Sequence, residues 1–285
     1  MQFYKNLLCS FLILIVSSHL SAQNKFETPY GNNKEVGKYV EINGAKIYYE
    51  EYGKGEPLLF IHGNGGNISG SSNRIEYFKS KYRVIAADSR GHGKSDMNTD
   101  SLTYRQIASD LEGLVAHLKL DSLNIVGVSD GAIVSFIMGA NGNTDIKKIV
   151  AWAGNLRPDT TAVRPFAPAG IKKRYDGIKK AMPNGKYPPY IERNMQRYGL
   201  MLFQPQITHE ELQKITAGVL VMAADRDVIK NSHSLEIFEH IPRAQLCIIP
   251  GATHFFPIQA PDLFIFVIER FLSVPFSMPD TDSGN

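Results

Sequence analysis

Cysteine is nearly missing from this chain: 285 residues hold only Cys9 and Cys247. A fold stapled by several disulfides is therefore excluded. Long apolar runs are missing too. Past residue 22 no stretch is long and apolar enough to span a bilayer, so stable membrane insertion is not expected. Charge of one sign is not in excess either, with a formal net charge of +3 that argues for neither nucleic acid nor a membrane surface. There is no internal repeat and no low-complexity tract. What remains is ordinary globular composition, 43% hydrophobic and 21% charged, at a length that suits one large α/β domain or two small ones.

The first residues differ from the rest. "MQFYKNLLCSFLILIVSSHLSAQ" has one lysine, an apolar run from Leu7 to Val16, and a small polar end. This is the three-part layout of a secretory signal peptide, too short for a membrane span. Residues 1–22 are read as that peptide, with cleavage near Ala22 and a periplasmic or secreted mature protein. Cys9 would leave with it, so Cys247 would stand alone and the core must hold the fold together. Residues 23–38, polar and rich in Gly and Asn, read as a loose leader. Residues 276–285 read as a disordered tail.

Between these ends the chain alternates. "KYVEINGAKIYYEEYGKG" turns at Asn43-Gly44, a strong hairpin signal. Six short apolar runs follow: "PLLFI", "RVIAA", "LNIVGV", "KKIVAWA", "GVLVMAA" and "AQLCIIP". They are rich in Val, Ile and Leu with little alternation, as strands buried on both faces of a parallel sheet are. Helical periodicity lies between several of them. In "TYRQIASDLEGLVAHLKL" the apolar stripe is Ile107, Leu111, Leu114, Val115 and Leu118. The expected fold is α/β: a mostly parallel sheet with an antiparallel N-terminal hairpin and helices on both faces. The core spans 39–154 and 215–275, and the rhythm stops over 155–214, where a helical lid or cap is expected. From Asn155 to Gln206 there are ten Lys or Arg and three acids, a local excess of +7.

In such sheets the loops at the carboxyl ends of the strands carry the site. "HGNGGN", "SRGHGKS", Ser129, "DRD" and "GATHFFP" each follow an apolar run. Ser129 sits in Gly127-Val128-Ser129-Asp130-Gly131. A strand that turns at once into a helix strains its apex residue and leaves no room for side chains two positions away, which is what glycines supply. A serine hydroxyl needs a base to take its proton, and an imidazole needs a carboxylate to fix its tautomer. Ser129 is read as nucleophile, His254 as base and Asp227 as acid, with Asp225 the competing carboxylate. His233 and His240 fall in a helical pattern and read as solvated helix residues. Neither "HGNGGN" nor "GHG" has dinucleotide-loop spacing.

The loop "HGNGG", "RGHGKS", "GVSDGA" and "GATHF" together resemble the α/β-hydrolase superfamily over about Tyr39 to Leu272, in its small esterase-like members. The Ser-Asp-Gly elbow is similar to that of valacyclovir-hydrolase-like enzymes. "ADRD" departs from the family's Gly-x-x-Asp at Ala224. The resemblance implies an oxyanion hole from the N–H groups of Asn64 and Asp130, and structural roles for His62 and His92. Asp130, Trp152 and Phe255 are the expected substrate-binding residues, Asp130 through a cationic substrate group or else as a helix-start carboxylate bonding nearby backbone. The implied activity is hydrolysis of a small carboxylic ester with no cofactor or metal. A cofactor-free perhydrolase or haloperoxidase and a C–C bond hydrolase use the same three residues, and a ligand-binding module of this fold is the non-enzyme alternative. The basic lid and acidic Asp130 point to opposite substrate charges.

Overall fold

The computed structural model describes residues 26–279; the segment 1–22 expected to be a signal peptide, the first leader residues 23–25 and residues 280–285 lie outside them. Eight strands form one sheet in the order β1-β2-β4-β3-β5-β6-β7-β8. They are β1 (Lys38–Ile42), β2 (Ala45–Tyr52), β3 (Glu56–Ile61), β4 (Tyr82–Ala87), β5 (Ser122–Val128), β6 (Asp145–Trp152), β7 (Gly218–Ala224) and β8 (Ala244–Ile249). The β1–β2 hairpin turns at Asn43 (φ 48°) and Gly44 (φ 72°), both left-handed as a tight primed turn requires. β2 pairs antiparallel with β4, and every pairing from β4 through β8 is parallel.

The apolar runs lack alternation because both faces of the sheet are covered. Leu59, Ile61, Ile125 and Ile149 enter one buried cluster, while Leu58, Phe60, Val126 and Val150 enter the other. The first cluster is closed by α2 (Tyr104–His117), α3 (Asp130–Asn141) and α7 (Asn231–His240), through Ile107, Leu111, Ile133 and Ile237. The second is closed by α1 (Ser72–Phe78), α8 (Phe256–Gln259) and α9 (Pro261–Ser273), through Ile75, Phe78, Phe256, Phe264 and Ile268. Thr103 caps α2, its hydroxyl accepting from the Gln106 N–H at 3.0 Å.

Between β6 and β7 lie α4 (Phe166–Ala181), α5 (Pro189–Phe203) and α6 (His209–Leu212). No side chain of α4 is buried, whereas α5 buries Met195 and Leu200. Gln196 Oε1 accepts from the Leu102 N–H at 2.9 Å, and Gln204 Oε1 accepts from that of Tyr104 at 3.3 Å, so α5 is fastened to the approach of α2.

Two terminal expectations are corrected. The described part of the leader is not loose: Tyr30 and Asn33 are buried, and the N–H groups of Gly31 and Asn33 donate to the Glu50 carboxylate at 2.7 and 3.0 Å. A fully buried carboxylate needs donors, and this segment supplies them alongside the hydroxyls of Tyr48 and Tyr52. Nor is the expected tail free from its first residue. Phe276 packs edge-on to Phe271 and against Gly218, because an aromatic ring beside open core surface stays on it.

Candidate active site

Ser129 lies between the end of β5 and the start of α3 at φ 56°, ψ −116°, left-handed backbone that a residue with a Cβ rarely adopts. The turn is held by the Ser129 N–H donating to the Trp152 carbonyl at 2.8 Å and by the Ala132 N–H returning to the Ser129 carbonyl at 2.8 Å. The flanking glycines are steric necessities. A Cβ on Gly127 would stand 2.3 Å from the Gly131 carbonyl oxygen, and one on Gly131 would stand 2.1 Å from that of Ile61. Both obstacles are backbone, so neither can swing aside.

Three strand ends meet at this turn. His254, in the loop after β8, presents Nε2 to Ser129 Oγ at 3.1 Å and Nδ1 to Asp227 Oδ1 at 2.7 Å. Asp227, after β7, is fully buried, and its Oδ1 also accepts the Ile229 N–H at 3.1 Å. A carboxylate on Nδ1 keeps the proton there, which leaves the Nε2 lone pair facing the hydroxyl. Asp225 makes no bond to His254; one of its carboxylate oxygens is buried without a partner among the described residues. The loop bearing Asp227 is braced by the segment ahead of α4: Val163 bridges Ile229, and Arg164 Nε donates to the Asp227 carbonyl at 2.7 Å.

The turn after β3 comes close on the other side. A Cβ on Gly63 would reach within 3.1 Å of Ser129 Cβ. The Ser89 N–H donates to His62 Nε2 at 3.0 Å, so the ring proton is on Nδ1, which donates to the Gly63 carbonyl at 2.8 Å. Burial pushes His62 below its ordinary pKa and His92, tilted against it at 5.1 Å, down to about 3. Both are neutral structural rings. The N–H groups of Asn64 and Asp130 have no acceptor among the described residues.

Asp130 is the acidic residue nearest the serine. It is 9% exposed; Oδ2 accepts from Asn64 Nδ2 at 2.9 Å, and the Tyr104 hydroxyl lies close enough to the same carboxylate to favour its charged form. Burial raises its pKa to about 6, against the lowering effect of those two neighbours. The cavity over Ser129 has a volume of ≈ 120 Å³. Pro158, Val163, Ala167, Pro168, Ile171 and Met201 make its wall apolar, and Tyr104, Asn155 and Gln204 add uncharged polar groups. None of the ten Lys and Arg residues of 155–206 lines it.

The expectation that Trp152 binds substrate is corrected. Its side chain is fully buried, stacked on Phe256 at 5.4 Å, and its Nε1 donates to the His254 carbonyl at 3.2 Å. It supports the histidine loop from beneath. Phe255 is 62% exposed, edge-on to the His254 ring, and is not part of the cavity wall. His233 is not solvated: it is 1% exposed, accepting the Leu156 N–H at 2.9 Å and facing Glu236. Tyr104, Gln204 and Arg164 were missed from the sequence, where each sits in an unremarkable helical or loop pattern.

Residues 56–204 match the family model described as the alpha/beta hydrolase fold, and the chain belongs to that family. Among similar proteins is human serine hydrolase BPHL, 23% identical over 247 residues, covering 82% of this chain and 85% of that one. The 3-oxoadipate enol-lactonase 2 of Acinetobacter baylyi is 25% identical over 251 residues, 78% and 91% of the two chains. The solved enol-lactonase of Burkholderia xenovorans LB400 superposes with a TM-score of 0.68 at 18% identity, covering 83% of this chain and all of that one, a likeness of fold.

Proposed function

We propose that this protein is a serine hydrolase that cleaves a small, uncharged carboxylic ester through an acyl-enzyme. The observation carrying this reading is the relay Ser129 Oγ to His254 Nε2 (3.1 Å) and His254 Nδ1 to Asp227 Oδ1 (2.7 Å). His254 takes the Ser129 proton as Oγ attacks the ester carbonyl, and Asp227 stabilises the imidazolium that forms. The oxyanion receives the free N–H groups of Asn64 and Asp130, the latter at the start of α3, where the helix dipole also favours negative charge. The imidazolium returns its proton to the departing alcohol. A water activated by the same ring then hydrolyses the acyl-serine.

Size and charge of the substrate are argued from the cavity. Its volume of ≈ 120 Å³ suits a short acyl or alkyl group, and its wall is mostly apolar. With the basic residues of 155–206 outside it, no lining cation offers an anionic substrate a partner. The fitting experiment is a panel of uncharged, aminoacyl and acidic esters, assayed with the wild type and with Ser129→Ala. Uncharged short-chain esters should be turned over best and acidic ones at least tenfold less, with Ser129→Ala inactive on all. A preference for acidic esters, or activity surviving in Ser129→Ala, would overturn the reading. Halogenation, perhydrolysis or C–C cleavage in place of ester turnover would move the activity to another chemistry of the same triad. Export after removal of residues 1–22 remains a proposal resting on that segment's pattern alone.

A further inference from the structure

The residue after the nucleophile supplies an N–H to the oxyanion, and any side chain suffices for that. Asp130 nevertheless places a carboxylate in a buried position, where an unpaired charge is costly. Its surroundings say what holds it there. Asn64 Nδ2 already occupies it at 2.9 Å, with the Tyr104 hydroxyl close by. The same Asn64 amide nitrogen donates to the Arg197 carbonyl of α5 at 3.2 Å, so both of its protons are used. Asn64 is thereby pinned between the elbow and the lid. Behind it, Gly63 lies against Ser129, and the Gly66 N–H closes the turn onto the Gly63 carbonyl at 3.0 Å. The part of Asn64 left without an acceptor is its backbone N–H.

We infer that the Asp130 carboxylate is a positioning group. It grips the Asn64 side chain so that the Asn64 N–H is aimed at the carbonyl oxygen bound over Ser129, and it ties that aim to the seating of α5. This rests on the serine-hydrolase reading above and deepens it. It differs from a receptor for a substrate ammonium, because a cation at Oδ2 would have to displace Asn64. Within a preorganised oxyanion hole, loss of aim is felt in the transition state more than in the ground state.

The test compares Asn64→Ala, Asp130→Ala, the double variant and Asp130→Asn on 4-nitrophenyl butyrate and on an α-amino acid ester. Each alanine variant should lower kcat about tenfold with KM within about twofold, as expected for a misaimed donor. The double variant should fall no further than either single one, since both remove one bond. Asp130→Asn should recover to within about threefold, its amide oxygen accepting from Asn64 and its amide nitrogen facing the Tyr104 hydroxyl. Multiplying losses in the double variant, or a rise in KM alone, would overturn the inference. So would a tenfold loss in Asp130→Asn confined to the amino acid ester, which marks a cation receptor instead. Should Asp130→Ala not fold, Asn64→Ala and Asp130→Asn decide between the same outcomes. A wild type that turns over neither ester defeats the hydrolase reading itself, a result distinct from the others.

Discussion

His254 and Asp227 share a hydrogen bond of 2.7 Å although 27 residues separate them, and the aspartate end of that bond is sealed from solvent. The bond fixes which imidazole nitrogen keeps its proton. Asp227→Asn would present an amide that can donate to Nδ1 and so favour the wrong tautomer. We expect a fall in kcat of about 10⁴-fold for Asp227→Asn, against a few-fold for Asp225→Asn. Steady-state kinetics of the two variants check this, and the opposite ranking would reassign the acid.

The Asp130 carboxyl carries a testable pH signature. Burial raises its pKa to about 6 in the fold from an unfolded value near 3.8. The folded state therefore holds the proton more tightly, and this residue's contribution to stability declines as pH rises from about 4 to about 6. Asparagine at that position carries no such cost. The stability advantage of Asp130→Asn over the wild type should grow between pH 4 and pH 7 by up to about 3 kcal/mol. Denaturant unfolding at the two pH values measures it; an advantage that shrinks with rising pH would show the sign to be wrong.

Glu50 anchors the segment 26–37. It accepts two backbone N–H groups and two tyrosine hydroxyls with no exposure to solvent. Glu50→Ala orphans four donors, three of them buried, and we expect a loss of about 3 kcal/mol together with cleavage by protease in residues 27–37. An unchanged digestion pattern would mean that Tyr30 and its aromatic neighbours hold this segment unaided.

Glycine substitutions separate necessity from tolerance. Gly131→Ala drives a Cβ into the Ile61 carbonyl and should cost about 3 kcal/mol or more while displacing Ser129. Gly177→Ala, in α4 with nothing near its Cβ, should instead stabilise by about 0.5–1 kcal/mol. Thermal melts of both variants make the comparison, and equal effects would undo the steric account of the elbow.

Much of the fold was legible from the sequence because its signals are local. The Asn43-Gly44 turn needs two left-handed residues, and the parallel strands need apolar side chains on both faces. Ser129, Asp227 and His254 were legible as polar residues in the loops after such strands, and they lie within hydrogen-bond reach of one another. What escaped was set by contacts distant in sequence. The Asn64–Asp130 bond joins residues 66 apart, and the Gln204–Tyr104 bond joins residues 100 apart. The leader read as loose because its polarity hides that its N–H groups serve a buried carboxylate elsewhere. Trp152 read as a pocket residue because it ends a strand at the site, yet strand alternation turns its ring into the core on the opposite face from Ala151. His233 read as solvated because nothing in a helical pattern reveals a backbone N–H arriving from Leu156.

Ester hydrolysis by this chain requires the Ser129 hydroxyl to be a nucleophile. The most direct measurement is covalent labelling with a fluorophosphonate probe, followed by mass mapping of the modified residue. We expect one label per chain, on Ser129, with the rate falling sharply in His254→Ala. Absence of labelling on folded wild-type protein, or labelling that persists in Ser129→Ala, would contradict it.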